Sequence, residues 1–125
     1  MKIRCEKSAR DGFGVFATET IKKGELIESC PVVIVPFSEW KFIQHSKLID
    51  YLFEWAPNSE KRIGYILGYA MIYNHSYDPN AESIKDLKND LFNFYARKDI
   101  EVGEEITHNY NGSAGHTGQV WFEVK

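Results

Sequence analysis

The sequence has 125 residues, with 15 Lys and Arg against 18 Asp and Glu, which gives a net charge of −3. This length fits a single domain, and the weakly acidic balance argues against a dedicated nucleic-acid binder, which needs clustered cations to neutralise phosphates. No stretch approaches the about 18 apolar residues of a membrane span, and the N-terminus lacks the apolar core of a signal peptide. We therefore expect one domain over residues 1–125 in an intracellular protein, cytoplasmic by default, with a nuclear or host-delivered location as the alternatives.

The first predicted elements are short strands separated by turns. Residues 2–5 alternate polar and apolar side chains, and residues 13–17 are apolar around a glycine, so both are expected to be strands. A turn is expected at residues 21–25. Residues 26–35 follow as an extended apolar stretch that Pro31 interrupts, because proline cannot donate a hydrogen bond to a neighbouring strand.

Helical structure is expected only in the middle of the chain. Residues 38–55 carry apolar side chains at mixed spacings, which predicts an irregular, partly helical insert. Residues 63–73 are the best helix candidate, because their larger apolar side chains fall on one face. The remaining expected elements are a loop at residues 74–80, a strand at 91–96, a turn at 101–104 and a strand at 105–110. Many short strands with a single true helix favour an irregular, mainly β fold over a doubly wound sheet.

Four short signatures occur along the chain in a characteristic order. They are Gly12-Phe13-Gly14-Val15-Phe16-Ala17, Lys23-Gly24-Glu25-Leu26-Ile27, Tyr73-Asn74-His75-Ser76 with Asp78-Pro79-Asn80-Ala81, and Gly103-Glu104-Glu105-Ile106-Thr107 leading to Tyr110. Alone, a Gly-Phe-Gly segment is more often a tight turn or bulge, and Asn-His is often a helix cap. The ordered set resembles the SET domain family of protein lysine methyltransferases, with a core from about residue 3 to residue 112. The ending resembles the small stand-alone SET proteins of microbes and large viruses.

The resemblance implies a mainly β SET fold of the β-clip type, with several short sheets and a threaded, knot-like C-terminal segment. It also implies an enzyme that moves the methyl group of S-adenosylmethionine onto a lysine side-chain amine of a protein. In the family, the segments that match the glycine and Asn-His signatures of this chain bind the cofactor. The residues that inherit this role are Arg10, Gly12, Phe13, Gly14, Asn74 and His75. Glycines suit such a loop, because bulky side chains would block the close approach of backbone groups to the cofactor.

Tyr110 inherits the catalytic position in this resemblance. Methyl transfer requires a neutral lysine amine, whereas lysine in water has a pKa of about 10.4. Desolvation and the nearby sulfonium charge both favour loss of the proton. A tyrosine hydroxyl beside the reacting centre can orient the amine, and this is the role expected of Tyr110. A lone tyrosine at the end of a strand is otherwise usually a core residue.

The sequence departs from larger family members in two places. No cysteine occurs in residues 31–125, so we do not expect the cysteine-rich zinc segment that closes the site in many relatives. Residues 113–125 are expected to close the site instead, with Trp121 or Phe122 against the adenine, and core capping is the equal alternative. His108 stands where many relatives carry a Phe or Tyr that influences how many methyl groups are added, so the degree of methylation is left open.

The protein substrate is expected to meet the variable region between Trp40 and Trp55. The candidate substrate-binding residues are Phe53, Trp55 and His108. Acidic side chains in the region expected to face the substrate favour a histone tail or another basic protein segment as the partner. Nucleic acid and membrane are not expected as partners, and a homodimer is left open.

Charged and metal-binding side chains give three further expectations. The four histidines do not pair at the spacing of three or four residues that places two ligands on one helical face, so no metal is expected. The two cysteines are expected to be free thiols. Glu104 and Glu105 are adjacent on a strand and point to opposite faces, so one is expected to be solvated and the other to make an ion pair or a turn contact.

Two functional alternatives stand beside a protein-lysine methyltransferase. One is a catalytically silent SET-like module that binds peptides or proteins. The other is a methyltransferase that acts on a different amine, because its reacting residues would look the same.

Overall fold

The computed structural model describes residues 1–10, 12–56 and 62–109, which form mainly strands. The strands are β1 (Ile3–Lys7), β2 (Phe13–Ala17), β3 (Leu26–Val35), β4 (Phe53–Ala56), β5 (Arg62–Ile66), β6 (Asn74–His75), β7 (Ala81–Asp86), β8 (Leu91–Ala96) and β9 (Thr107–His108). The helical segments are the single turn α1 (Trp40–Ile43) and the 3-10 turns Phe37–Glu39, Lys47–Tyr51 and Tyr69–Ile72. The expected mainly β fold is confirmed. Within the described ranges, no helix combines the length and apolar character needed to cross a membrane.

The described strands are arranged in sheets of two, five and two strands. β1 and β2 pair antiparallel. The five-stranded sheet has the order β4-β5-β3-β8-β7, and each neighbouring pair is antiparallel. The third sheet is a short parallel pair, in which Asn74 on β6 lies opposite Thr107 on β9, and His75 lies opposite His108. This pair joins segments that are far apart along the chain.

The core lies on one face of the five-stranded sheet. β8 alternates buried and half-buried side chains, with Phe92, Phe94 and Ala96 buried. The rings of Phe92 and Phe94 are stacked with centroids 4.8 Å apart. Val15 and Ala17 of β2 are fully buried in the same core. Burial of a side chain as large as Phe stabilises the folded state by about 1.5–3 kcal/mol. The alternating pattern of β8 therefore favours packing of this face of the sheet against the core.

Several expected elements are confirmed. Strands occupy residues 13–17 and 91–96 as predicted. The predicted turns are present, and Gly24 and Gly103 in them both have a φ of 87°, which glycine adopts without steric cost. The insert is irregular and partly helical as far as Tyr51, but it ends in strand β4.

The predicted helix over residues 63–73 is wrong. Its first part forms β5, which lies between β3 and β4, and Tyr69–Ile72 form only a 3-10 turn. Gly64 permits the close approach of the strands, because a Cβ there would lie 2.7 Å from the backbone oxygen of Val33. Pairing with two neighbouring strands therefore overrides the helical spacing of the apolar residues.

β3 is one continuous strand, although the sequence predicts an interruption at Pro31. The residues up to Pro31 pair with β8, and the residues from Val32 onward pair with β5. Pro31 is the last residue of β3 that pairs with β8, opposite Leu91. The missing N–H therefore falls at the end of that ladder. Cys30, which precedes the proline, and Cys5 are free thiols as expected.

The two edges of the five-stranded sheet are joined by Lys85. β7, which the sequence pattern does not predict, is one edge strand, and β4 is the other. The Lys85 ammonium donates hydrogen bonds to the backbone oxygens of Glu54 at 2.8 Å and Trp55 at 3.2 Å, both on β4. It also lies within 6.0 Å of the ring centroids of Phe53, Trp55 and Phe92. The Lys85 side chain therefore bridges the two edges of the sheet over an aromatic cluster.

Replacement of Lys85 by methionine keeps most of the aliphatic stem and removes the ammonium. We expect Lys85→Met to lower the free energy of unfolding by about 1–2 kcal/mol, because hydrogen bonds from a charged donor are lost at a partly exposed site. Urea denaturation measures this change as a lower midpoint. Lys88→Met is the matched control, since Lys88 is exposed in the turn between β7 and β8. Equal midpoints for the two variants would contradict the edge-joining role of Lys85.

Candidate functional site

The loop between β1 and β2 exposes its backbone at Gly12. The φ of Gly12 is 49°, in the left-handed region that favours glycine, and a Cβ there would meet no described atom within 4 Å. Phe13, the next residue, is 58% exposed, and the Arg10 side chain is about half-exposed. No described residue therefore crowds this side of Gly12, which allows a ligand to approach its backbone closely.

Gly14 lies against the side chain of Glu105. A Cβ at Gly14 would overlap the Glu105 carboxylate and would lie 3.0 Å from Cβ of Ser8. The backbone of Glu105 is held in place by an antiparallel bridge with Phe16 of β2. Glycine at position 14 therefore permits the first and the last signature of the sequence to approach each other closely.

The Glu105 carboxylate accepts polar contacts from separate segments of the chain. The Ser8 hydroxyl lies 2.9 Å from both carboxylate oxygens, Asn74 Nδ2 donates at 2.6 Å, and Arg10 Nε lies 3.5 Å away. The Glu105 side chain is only 12% exposed, whereas Glu104 is exposed. The expected ion pair is made by Glu105, but the exposed Glu104 carboxylate is not merely solvated, because it accepts hydrogen bonds from Asn80 Nδ2 and the Glu101 N–H. The alternation of side chains along a strand does not predict whether Glu104 or Glu105 faces inward.

Asn74 connects the glycine loop with the last signature. Its Nδ2 donates to the backbone oxygen of Phe13 at 3.3 Å and to Glu105 Oε2 at 2.6 Å. Its backbone lies opposite Thr107 in the β6–β9 pair. Asn74 therefore lies where three of the four sequence signatures meet.

Asn80 anchors the segment that follows Asn74. It is 5% exposed, its Oδ1 accepts a hydrogen bond from the Thr107 N–H at 2.8 Å, and its Nδ2 donates to the backbone oxygen of Glu105 at 2.7 Å. These bonds satisfy polar groups that would be costly to bury unpaired. The Asp-Pro-Asn part of the signature thus holds the β6 segment against the β9 segment.

Tyr73 anchors the segment that precedes Asn74. It is 1% exposed, its hydroxyl donates to Glu28 Oε1 at 2.6 Å, and its ring meets Phe94 edge to face at 5.3 Å. Burial raises the pKa of Tyr73, so the hydroxyl remains a donor. Because Glu28 is on β3 and Phe94 is on β8, this contact ties the segment to the large sheet.

Two histidines of the site are neutral near pH 7. The His75 ring meets Tyr77 edge to face at 4.4 Å, and burial lowers the pKa of His75. His108 Nε2 lies 3.0 Å from Ser83 Oγ, its ring meets Phe94 at 5.1 Å, and burial lowers the pKa of His108 to about 4. Ser83 is not identified from the sequence, because β7 is not predicted and nothing local links it to His108.

The expected substrate-binding aromatics differ in their placement. Trp55 is fully buried, and its indole N–H donates to Asp90 Oδ1 at 3.1 Å. We correct the expectation for Trp55, because β4 turns this side chain into the core and leaves no surface for a substrate groove. Phe53, on the same strand, is half-buried. Tyr110 and Trp121 lie outside the described residues.

The residues around the glycine loop fit the amino-acid end of S-adenosylmethionine. That end carries an ammonium and a carboxylate. Carboxylate, amide and backbone oxygens accept hydrogen bonds from an ammonium, and a guanidinium or a backbone N–H donates to a carboxylate. Arg10, Phe13, Asn74 and Glu105 supply these groups within one contact network. Gly12 adds backbone that no described residue crowds.

Comparison with known proteins places the chain in a family. Residues 12–111 match the family described as SET domain. The histone-lysine N-methyltransferase of Schizosaccharomyces pombe that is specific for H3 lysine-37 is 33% identical over 124 residues, which cover 97% of this chain and 77% of that protein.

Solved structures are similar in fold as well. A Plasmodium falciparum protein described as a candidate histone methyltransferase has a TM-score of 0.66 and 34% identity, covering 98% of this chain and 97% of that chain. The autoinhibited, S-adenosylmethionine-bound Polycomb Repressive Complex 2 of Chaetomium thermophilum has a TM-score of 0.72 and 25% identity, covering 86% of this chain and 15% of that chain. With its strands, signatures and contacts arranged in this way, the chain belongs to the SET domain family.

Proposed function

We propose that this chain transfers the methyl group of S-adenosylmethionine to the side-chain amine of a lysine in a histone or another basic protein segment. As a SET domain protein, it is a protein-lysine N-methyltransferase, and S-adenosylmethionine is its methyl donor. The observation that carries the proposal for the site is the network that joins Phe13, Asn74 and Glu105 beside the open backbone of Gly12.

The donor side of the proposed reaction uses the glycine loop and β6. The residues proposed to bind the cofactor are Arg10, Gly12, Phe13, Gly14, Asn74 and His75. When bound, the cofactor supplies an electrophilic methyl group on a sulfonium centre. Asn74 and the exposed backbone of the loop bind its amino-acid end and orient it, and orientation of this kind can account for a large part of a rate enhancement.

The acceptor side must favour a neutral lysine amine. Phe92 and Phe94 pack around His108, and an apolar surrounding of this kind disfavours an ammonium. The neutral imidazole adds no positive charge that would repel the incoming side chain. We propose that His108 and Phe53 line the path of the lysine and that Tyr110 orients its amine.

A basic protein segment is electrostatically suited to this chain. The net charge of −3 favours association with a positively charged partner. The Schizosaccharomyces pombe relative acts on histone H3. We therefore propose a histone tail as the substrate and chromatin as the place of action, with residues 1–125 forming one SET domain.

Mass spectrometry tests the proposed activity directly. Incubation of the full chain with S-adenosylmethionine and core histones or histone tail peptides should add methyl groups to lysine. Tyr110→Phe should lose transfer while it keeps cofactor binding, whereas Asn74→Ala should weaken binding about tenfold, the loss expected for a direct hydrogen bond. Binding of cofactor and peptide without any mass change would indicate a silent module. Methylation of small amines but not of peptides would contradict a protein acceptor.

We also propose that residues 113–125 close the cofactor site, with Trp121 against the adenine. Trp121→Ala should weaken binding of S-adenosylmethionine by about tenfold to a hundredfold, because burial of a large aromatic ring contributes about 1.5–3 kcal/mol. Titration calorimetry measures the change, and Phe122→Ala tests the neighbouring aromatic in the same way. An unchanged dissociation constant in both variants would mean that the adenine rests on other residues.

The lowered pKa of His108 should make the protein sensitive to acid. Its pKa is about 4 in the folded chain and 6.5 for an ordinary histidine, so the unfolded chain binds more protons between these values. Stability is then complete above about pH 6.5 and falls as the pH decreases toward about 4. The loss at about pH 4.5 is on the order of 2–3 kcal/mol. We expect the free energy of unfolding to differ less between a pH above about 6.5 and about pH 4.5 in His108→Phe than in the unsubstituted chain. Urea denaturation at the two pH values measures this difference, and an equal difference in both proteins would contradict the buried neutral imidazole.

A further inference from the structure

We propose that Glu105 is a positioning residue for cofactor binding, whose carboxylate orients the Asn74 amide and shapes the glycine loop. The inference rests on the proposed function and deepens it. It assigns a role to a side chain that the family resemblance and the sequence pattern leave without one.

The Asn74 amide has a single compatible orientation in this setting. Its Nδ2 lies 2.6 Å from Glu105 Oε2 and 3.3 Å from the backbone oxygen of Phe13. An ionised carboxylate and a backbone carbonyl accept hydrogen bonds and cannot donate them. A flipped amide would place Oδ1 against two acceptors. The contact with Glu105 therefore determines which way the Asn74 carbonyl points.

The same carboxylate shapes the loop. The Ser8 hydroxyl contacts both Glu105 oxygens at 2.9 Å, and Ser8 Oγ in turn accepts a hydrogen bond from the Arg10 N–H at 2.9 Å. On the other side of the loop, the Gly14 backbone lies so close to the carboxylate that a Cβ does not fit. Glu105 therefore lies against residues on both sides of Gly12 in the chain, Ser8 before it and Gly14 after it.

Glu105 contributes charge as well as geometry. Its side chain is 12% exposed, and its ion-pair partner among the described residues is Arg10, at 3.5 Å and with a side chain that is 53% exposed. Solvent screens an ion pair of this kind, so it compensates the carboxylate only in part. The remaining negative charge beside the loop favours a ligand with a net positive charge, and S-adenosylmethionine carries one.

Titration calorimetry of the full chain with S-adenosylmethionine tests this role. Glu105→Ala removes the acceptor and the charge and should raise the dissociation constant at least about tenfold, as for the loss of a charge-assisted hydrogen bond. Glu105→Gln keeps an oxygen for Asn74 but loses the charge, so its affinity should lie between those of Glu105→Ala and the unsubstituted chain. Glu101→Ala is the matched control, because it also removes one carboxylate and the Glu101 side chain is exposed in the turn that precedes Glu105.

Steady-state kinetics separates positioning from general damage to the fold. In both Glu105 variants the KM for S-adenosylmethionine should rise, while kcat at saturating cofactor and the KM for the protein substrate change by less than about twofold. Thermal unfolding without cofactor checks that the variants fold. If Glu105→Ala does not fold, the isosteric Glu105→Gln provides the test.

Two outcomes would overturn the inference. One is an unchanged affinity for the cofactor in the folded Glu105 variants, and the other is a lower kcat with an unchanged KM for S-adenosylmethionine. Absence of cofactor binding by the unsubstituted chain would instead overturn the proposed function, so the two failures are distinguishable.

Discussion

The parallel pair between β6 and β9 is the constraint on which the candidate site depends. It consists of two residues on each strand, which is too short to be stable by itself. Asn80 makes it possible, because its side chain donates and accepts the hydrogen bonds that the neighbouring backbone would otherwise lack. Once this pair has formed, Asn74 lies beside the loop that carries Gly12. The residues proposed to bind the cofactor are therefore brought together by a polar contact between segments that are distant along the chain.

The five-stranded sheet forms the other side of the site by curling around an aromatic core. Phe92 and Phe94 face inward from β8, Trp55 enters from the edge strand β4, and Lys85 joins that edge to β7. Right-handed twist makes such curling natural for a small sheet. The same apolar face packs around His108 and keeps its imidazole neutral. Packing that stabilises the fold thus also gives low polarity at the place proposed for the neutral lysine amine.

Charge is distributed unevenly between the two sides. On the acceptor side the buried titratable groups are neutral or hydrogen-bonded, as with His108 and Tyr73. On the donor side the Glu105 carboxylate lies beneath an exposed loop and is only partly compensated by Arg10. Nearby negative charge favours a sulfonium cation, whereas an apolar surrounding favours a neutral amine. The two sides of the proposed site differ in this way, because Glu105 lies beneath the exposed loop and His108 lies against the aromatic core.

Composition, local pattern and motif order determined much of this protein by themselves. The alternation in residues 91–96 and the apolar run at 13–17 indicate strands. Successive side chains of a strand point to opposite faces, so this pattern is visible in the local sequence. The order of the signatures indicates the SET family and its cofactor. Tertiary structure alone decided what depends on distant partners: β5 in place of a helix, Trp55 in the core, Ser83 beside His108, and Glu105 rather than Glu104 beneath the loop. In each of these cases the energy comes from a contact across the sheet or between segments far apart in the chain, and no local pattern encodes it.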